Sequence, residues 1–105
     1  MDTIITGGKV VTPAGAGDWE IGIDGEKITA VTLPGILSRD GSKVIDASGK
    51  IVVPGGVEAH AHAAANVQPG APEQVPGTPN AGPAVHSIGA IWGGTTTVVD
   101  FAPAP

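Results

Sequence analysis

The chain has 105 residues, no cysteine, and a formal net charge of −5 from 10 acidic and 5 basic side chains. This length suits one small domain or part of a larger one. The lack of cysteine excludes a disulfide framework, a thiolate zinc site and a thiol nucleophile. The basic residues are scattered, so we expect no nucleic-acid partner. The start of the chain shows no secretory signal, and its apolar stretches are short, which predicts a cytoplasmic protein with no membrane partner.

The first half of the chain has the pattern of short strands separated by glycine-containing turns. The predicted strands are 2–6, 9–12, 19–24, 27–31, 43–46 and 51–53. Gly7-Gly8 predicts a hairpin between the first two strands, and Gly25-Glu26 predicts a tight turn between the next two. Residues 13–17 predict a loop. Apolar residues alternate with polar ones along these strands, which favours an antiparallel sheet of the sandwich kind with one wet face.

The pattern changes in the second half, which predicts a strand, a long loop, a helix and a second strand. These predicted segments cover 57–62, 63–83, 84–92 and 95–101. Strand, helix and strand in this order form one βαβ unit. A lone βαβ unit cannot bury both faces of its sheet, so we expect the chain to be a truncated N-terminal segment of a longer protein. Val85, Ile88 and Trp92 lie at helical spacing and form an apolar stripe, which predicts the helix.

His60 and His62 are the residues with the most specific chemistry. Residues i and i+2 of a strand point to the same side, with Cα atoms roughly 6.6 Å apart. Two imidazoles at that spacing can hold one divalent ion at ~2.0–2.1 Å from each nitrogen. The pair ends the first strand of the βαβ unit, where α/β folds place their chemistry. The alternative, two polar surface residues on an edge strand, remains open on spacing alone.

Two separated motifs resemble the amidohydrolase superfamily and, within it, the dihydropyrimidinase and hydantoinase group. The first motif is VPGGVEAHAH at 53–62, and the second is GGTTTVVDF at 93–101. The strands at 4–11 and the turn at 46–50 also resemble that group. The resemblance covers nearly the whole chain apart from 63–83.

The resemblance implies an α/β fold combined with a β-sandwich. Residues 1–52 would contribute strands to a composite β-sandwich, and 53–105 would begin a (β/α)8 metal-dependent hydrolase barrel with its first strand, loop, helix and second strand. It implies that His60 and His62 bind the more buried ion of a binuclear zinc centre. The carboxylated lysine that bridges the two ions, and the remaining ligands, would come from later strands.

The implied activity is hydrolysis of cyclic amides such as dihydropyrimidines and hydantoins. A water between the metal ions would attack the ring carbonyl, and an aspartate from a later strand would move the proton. The resemblance further implies a homo-oligomer, a dimer or tetramer. The alternatives are a non-catalytic dihydropyrimidinase-like scaffold subunit, another amidohydrolase (dihydroorotase, allantoinase or deaminase), and a small β-rich binding module. The 105-residue chain itself is expected to hold no catalytic residue.

Five further side chains carry expectations. Glu58 stands where the resembled family usually has aspartate, and Asp100 ends the second barrel strand. Either carboxylate could support the histidines without touching the ion, or could serve as a strand-end charge. His86 lies off the apolar stripe of the predicted helix and is expected to be solvated. Trp19 and Trp92 are expected to be core or interface residues.

Overall fold

The computed structural model describes residues 1–63 and 83–100, which form nine strands and one helix. The strands are β1 (Thr3–Thr6), β2 (Lys9–Thr12), β3 (Gly15–Asp18), β4 (Glu20–Asp24), β5 (Lys27–Thr32), β6 (Lys43–Asp46), β7 (Ile51–Val52), β8 (Gly56–Ala61) and β9 (Thr95–Asp100), and the helix is α1 (Pro83–Trp92). The chain divides into two compact units, Met1–Pro54 and Gly55–Pro105. Within the described ranges no helix is long and apolar enough to cross a bilayer.

The first unit contains a four-stranded sheet in the order β5-β4-β1-β6 and a three-stranded sheet in the order β3-β2-β7. Strand β1 pairs antiparallel with β4 and parallel with β6, and β2 pairs antiparallel with β3 and parallel with β7. Both sheets are therefore mixed, and the prediction of an antiparallel sheet is wrong. The parallel pairs arise because β6 runs beside β1 in the first sheet and β7 then runs beside β2 in the second, each in the same direction as its neighbour.

Gly7 and Gly8 do not form the predicted hairpin, because β1 and β2 belong to different sheets. The glycines carry the chain from one sheet to the other, alongside the turn that connects β6 to β7. Gly7 has φ +80°, and a Cβ at this position would lie 2.6 Å from Ser48 Oγ. The Ala47 amide donates a hydrogen bond to the Thr6 carbonyl at 2.8 Å. This bond links the β6–β7 connection to the β1–β2 connection.

Strand β3 lies in a segment that the sequence predicts as a loop. Its residues, GAGD, have low β propensity. The strand forms because it pairs with β2 from Thr12↔Gly15 to Lys9↔Asp18. A Cβ at Gly17 would lie 2.8 Å from the ring of Trp19, which is half-buried. The backbone pairing with β2 and the packing of the Trp19 ring against Gly17 therefore outweigh the low β propensity of this segment.

The hairpin between β4 and β5 is confirmed. Gly25 and Glu26 form the turn, and Asp24↔Lys27 is the pair that closes it. Gly25 adopts φ +57°, a left-handed conformation that glycine adopts without steric cost. Local turn chemistry was sufficient to place this element.

The buried core of the first unit draws on both sheets. Its fully or nearly fully buried apolar side chains are Ile4, Val10, Ile21 and Ala47. Glu20 is also buried, with 0% exposure, although alternation places it on the predicted wet face. Glu20 is the first residue of β4, which lies between β5 and β1 in the larger sheet.

Two side chains donate hydrogen bonds to one oxygen of the buried Glu20 carboxylate. Oε1 accepts a hydrogen bond from the Thr6 hydroxyl at 2.8 Å and another from Arg39 Nη2 at 2.5 Å. The Thr6 hydrogen bond, with support from the Gly35 amide and the Arg39 charge, holds the pKa of Glu20 below its ordinary value despite burial. The carboxylate therefore ties the segment that follows β5 to the four-stranded sheet.

The second unit is the predicted βαβ unit, which the structure confirms. Strands β8 and β9 are parallel, and α1 packs against β9. Gly94, at φ +86°, follows the helix end, and its amide donates to the Ile91 carbonyl at 2.9 Å. No residue of α1 is buried, and Trp92 is 88% exposed, so it is not a core residue of the described part. Most of the predicted 63–83 loop, residues 64–82, lies outside the described residues.

Candidate metal centre

The structure brings the rings of His60 and His62 together at the end of β8. Their Nε2 atoms lie 3.0 Å apart, and their ring centroids are 5.1 Å apart with the planes tilted by 53°. Both residues are exposed. The pairing follows from a strand in which residues two apart share a side. The Nε2 atoms of the two rings therefore lie close enough to contact each other.

This geometry fits shared coordination of a small divalent ion. Two imidazole nitrogens at ~2.05 Å from a tetrahedral ion lie about 3.3 Å apart, a few tenths of an ångström more than observed here. The same separation suits a hydrogen bond between a protonated and an unprotonated Nε2. A catalytic zinc site needs three protein ligands. Among residues 1–63 and 83–100, no three His, Cys, Asp or Glu side chains converge to hold an ion.

Glu58 does not follow the alternation that the sequence suggests. Strict alternation would place it on the face of the two histidines. Glu58 pairs with Val98 and Ala61 with Asp100, so β8 has one extra residue in this stretch. The shift places Glu58 beside Ala61 in the lining of a cavity. Its Oε1 accepts a hydrogen bond from the backbone amide of His60 at 2.9 Å.

Asp100 lies at the carboxyl end of β9 and is half-buried. Its Oδ1 accepts a hydrogen bond from the backbone amide of Ala63 at 2.9 Å. Ala63 directly follows the histidine pair, 37 positions before Asp100 in the chain. The carboxylate therefore ties the end of one parallel strand to the segment that leaves the other.

The cavity beside Glu58 has a volume of about 500 Å³ and lies between α1 and the two strands. Its lining is mainly apolar and includes Ala61, Ala90 and Val98, with His86 contributed by the helix. His86 was predicted to be solvated, and it is indeed exposed while also lining this cavity. Among the described residues, the lining includes neither histidine of the candidate metal pair.

Gly55 allows the start of β8 to lie directly against β9. A Cβ at Gly55 would lie 2.0 Å from Thr96 Oγ1 and 2.7 Å from Thr96 Cβ. Thr96 is the extra residue of β9 between the pairs Gly56↔Thr95 and Val57↔Thr97. Glycine at position 55 therefore meets a steric requirement set by Thr96, 41 positions later in the chain.

No protein-family model matches the sequence. Comparison with curated proteins finds a D-hydantoinase of Streptomyces coelicolor that is 36% identical over 103 residues, covering 95% of this chain and 21% of the relative. The chain is a relative of the D-hydantoinases. The resemblance to the hydantoinase group of the amidohydrolases is thereby confirmed.

Solved structures give the same result. The crystal structure of D-hydantoinase from Bacillus sp. AR9 matches 98% of this chain and 20% of its own, with a TM-score of 0.75 and 33% sequence identity. Among the curated proteins, an allantoinase of Bacillus licheniformis gives a shorter match, which is 41% identical over 62 residues and covers 59% of this chain and 13% of that protein. The chain spans about a fifth of the length of the hydantoinases that it matches.

Proposed function

We propose that this chain carries part of the metal centre of a hydrolase that opens cyclic amides, of the hydantoinase or dihydropyrimidinase type. The observation that carries the proposal is the 3.0 Å separation of the His60 and His62 Nε2 atoms at the end of a parallel strand. Support comes from the alignment with D-hydantoinases over nearly the whole chain. The substrate is a small molecule containing a cyclic amide.

The proposed parent fold has two parts. Residues 1–52 contribute to a composite β-sandwich, and 53–105 supply the first βαβ unit of a (β/α)8 barrel. The relatives are about five times as long as this chain, which leaves length for further barrel units. Zinc is the proposed metal, in a binuclear centre whose third and later ligands come from the rest of the parent protein. Imidazole nitrogen is a preferred zinc ligand, and the paired Nε2 atoms fit that chemistry.

The proposed work of His60 and His62 is to hold one ion through their Nε2 atoms. Each nitrogen would have to be unprotonated to hold the ion, so neither Nε2 could keep a proton in the metal-bound state. Ala59 and Ala61 flank the rings with little bulk. A bound divalent ion would supply Lewis acidity, which acidifies water and polarises the amide carbonyl of the ring.

A second candidate substrate is allantoin, because part of the chain matches an allantoinase. A non-catalytic scaffold is less well supported, since a scaffold has no chemical need for two converging Nε2 atoms. The two enzyme candidates share a metal centre and differ in the ring that they open. Assays with different substrates therefore distinguish the two enzyme candidates, whereas substitutions of the histidine pair do not.

A chimera tests the proposal. This chain replaces the aligned segment of the Streptomyces coelicolor D-hydantoinase, and ring opening of hydantoin, dihydrouracil and allantoin is measured. We expect turnover that His60→Ala or His62→Ala abolishes and that His86→Ala, the matched control, retains. A folded chimera whose turnover survives both of the first two substitutions would contradict the proposal. The 105-residue chain alone is expected to show no turnover, because it offers two ligands.

A further inference from the structure

Two carboxylates hold the backbone of β8 on either side of its histidine pair. Glu58 Oε1 accepts from the His60 amide at 2.9 Å, and Asp100 Oδ1 accepts from the Ala63 amide at 2.9 Å. One contact lies at the first histidine, and the other lies immediately after the second. The segment that carries both imidazoles is therefore fixed at both of its ends.

The fixed segment coincides with a break in the ladder between β8 and β9. From Glu58 to Ala61 the chain advances three residues, while its partner advances two, from Val98 to Asp100. A bulge of this kind leaves backbone groups without ladder partners and redirects side chains. Carboxylate acceptors satisfy such amides with charge-assisted hydrogen bonds. In this structure one carboxylate accepts from the amide of His60, inside the bulge, and the other accepts from the amide of Ala63, two residues beyond it.

We infer that Glu58 and Asp100 are positioning residues that hold the bulged end of β8 so that His60 and His62 present their Nε2 atoms to one ion. This inference rests on the metal centre proposed above. Each carboxylate accepts from a backbone amide, and among the described residues no triad of potential ligands includes either of them. Their role therefore depends on an acceptor oxygen at the right place, which Gln and Asn also provide.

The test measures zinc affinity of the 105-residue chain by competition with a chromophoric chelator. Asp100→Leu and Glu58→Ala remove the acceptors, whereas Asp100→Asn and Glu58→Gln keep an oxygen. Asp18→Leu, at an exposed position of β3, controls for the loss of one negative charge. We expect the first two variants to bind zinc about tenfold or more weakly than this control, the typical effect of losing a supporting contact to a ligand. The amide variants also lose one negative charge but keep the acceptor oxygen, so they should stay within about threefold of the same control.

Amide hydrogen exchange in the metal-free chain gives an independent measurement. We expect exchange at Ala63 to accelerate in Asp100→Leu, and exchange at His60 to accelerate in Glu58→Ala, while exchange at Ile4 in the other unit stays unchanged. Affinity equal to the Asp18→Leu control in both folded variants would overturn the inference, as would unchanged exchange at both amides. If Asp100→Leu fails to fold, the zinc affinities of Glu58→Ala and Glu58→Gln are compared with that of Asp18→Leu instead. An unsubstituted chain that binds no zinc would count against the metal centre, while the exchange rates would still decide the positioning role.

Discussion

The Nε2 atoms of His60 and His62 lie 3.0 Å apart, with one small residue, Ala61, between them in β8. That distance is within hydrogen-bond range and is a few tenths of an ångström shorter than two ligands of one tetrahedral ion require. Residues two apart on a strand share a side, which accounts for the shared direction of the rings. The proposed function depends on this relationship, and Glu58 and Asp100, which we infer to maintain it, bind backbone amides next to the pair.

Replacing Gly55 by alanine should destabilise the second unit. The added Cβ would lie 2.0 Å from Thr96 Oγ1, so one of the two strands must move. We expect a loss of about 1–3 kcal/mol in the free energy of unfolding, as for other overpacked sites. Chemical denaturation followed by the helical circular dichroism band measures it. Gly89→Ala is the control, since nothing lies within 4 Å of its added Cβ and alanine favours the helix by about 1 kcal/mol.

The stability of the first unit should fall in acid because of Glu20. The folded pKa of Glu20 lies below its ordinary value of 4.5, chiefly through the Thr6 hydrogen bond. Its contribution is therefore fully present above the unfolded pKa and is lost as the pH falls through the folded pKa. Urea midpoints at a series of pH values measure this loss. The difference between the unsubstituted chain and Glu20→Gln should narrow as the pH falls, and a constant difference would contradict the prediction.

Removing Arg39 should destabilise the first unit more than replacing Glu20 by glutamine. Arg39→Gln leaves the buried Glu20 carboxylate without its cation, whereas Glu20→Gln removes the buried charge itself. Urea midpoints of the two variants at neutral pH give the comparison. Lys27→Gln, on β5, is a matched control for the loss of one positive charge. A smaller effect of Arg39→Gln than of Glu20→Gln would contradict the prediction.

The Thr29 hydroxyl should set the pKa of Asp24. Thr29 Oγ1 donates to Asp24 Oδ2 at 2.9 Å, and this hydrogen bond is the main cause of a pKa below the ordinary value of 3.8. Thr29→Val is expected to raise the pKa of Asp24, measured by carboxyl carbon NMR.

Ser48→Ala should in the same way raise the pKa of Asp46, which the Ser48 side chain lowers. Each substitution should leave the other aspartate unchanged, so a shift in both would contradict the local cause.

Features with local signals could be predicted from the sequence. The β4–β5 hairpin follows from a glycine turn between two alternating runs, and the βαβ unit follows from the change of period after Pro54. The histidine pair was identified in the same way, because a spacing of two residues on a strand determines which side chains meet.

Features that depend on distant partners could not be predicted. Gly7 and Gly8 resemble a hairpin turn, but β1 finds its neighbours in β4 and β6. The buried carboxylate of Glu20 binds Thr6 and Arg39, which come from other parts of the chain. The bulge that turns Glu58 into the cavity depends on register with β9, which no local pattern encodes.

The most direct test of the metal centre is a zinc titration of the 105-residue chain followed by NMR of its three histidine side chains. We predict that the imidazole nitrogens of His60 and His62 shift together and saturate at one ion per chain, while those of His86 do not move. Equal shifts at all three histidines, or no shift at His60 and His62, would contradict the account.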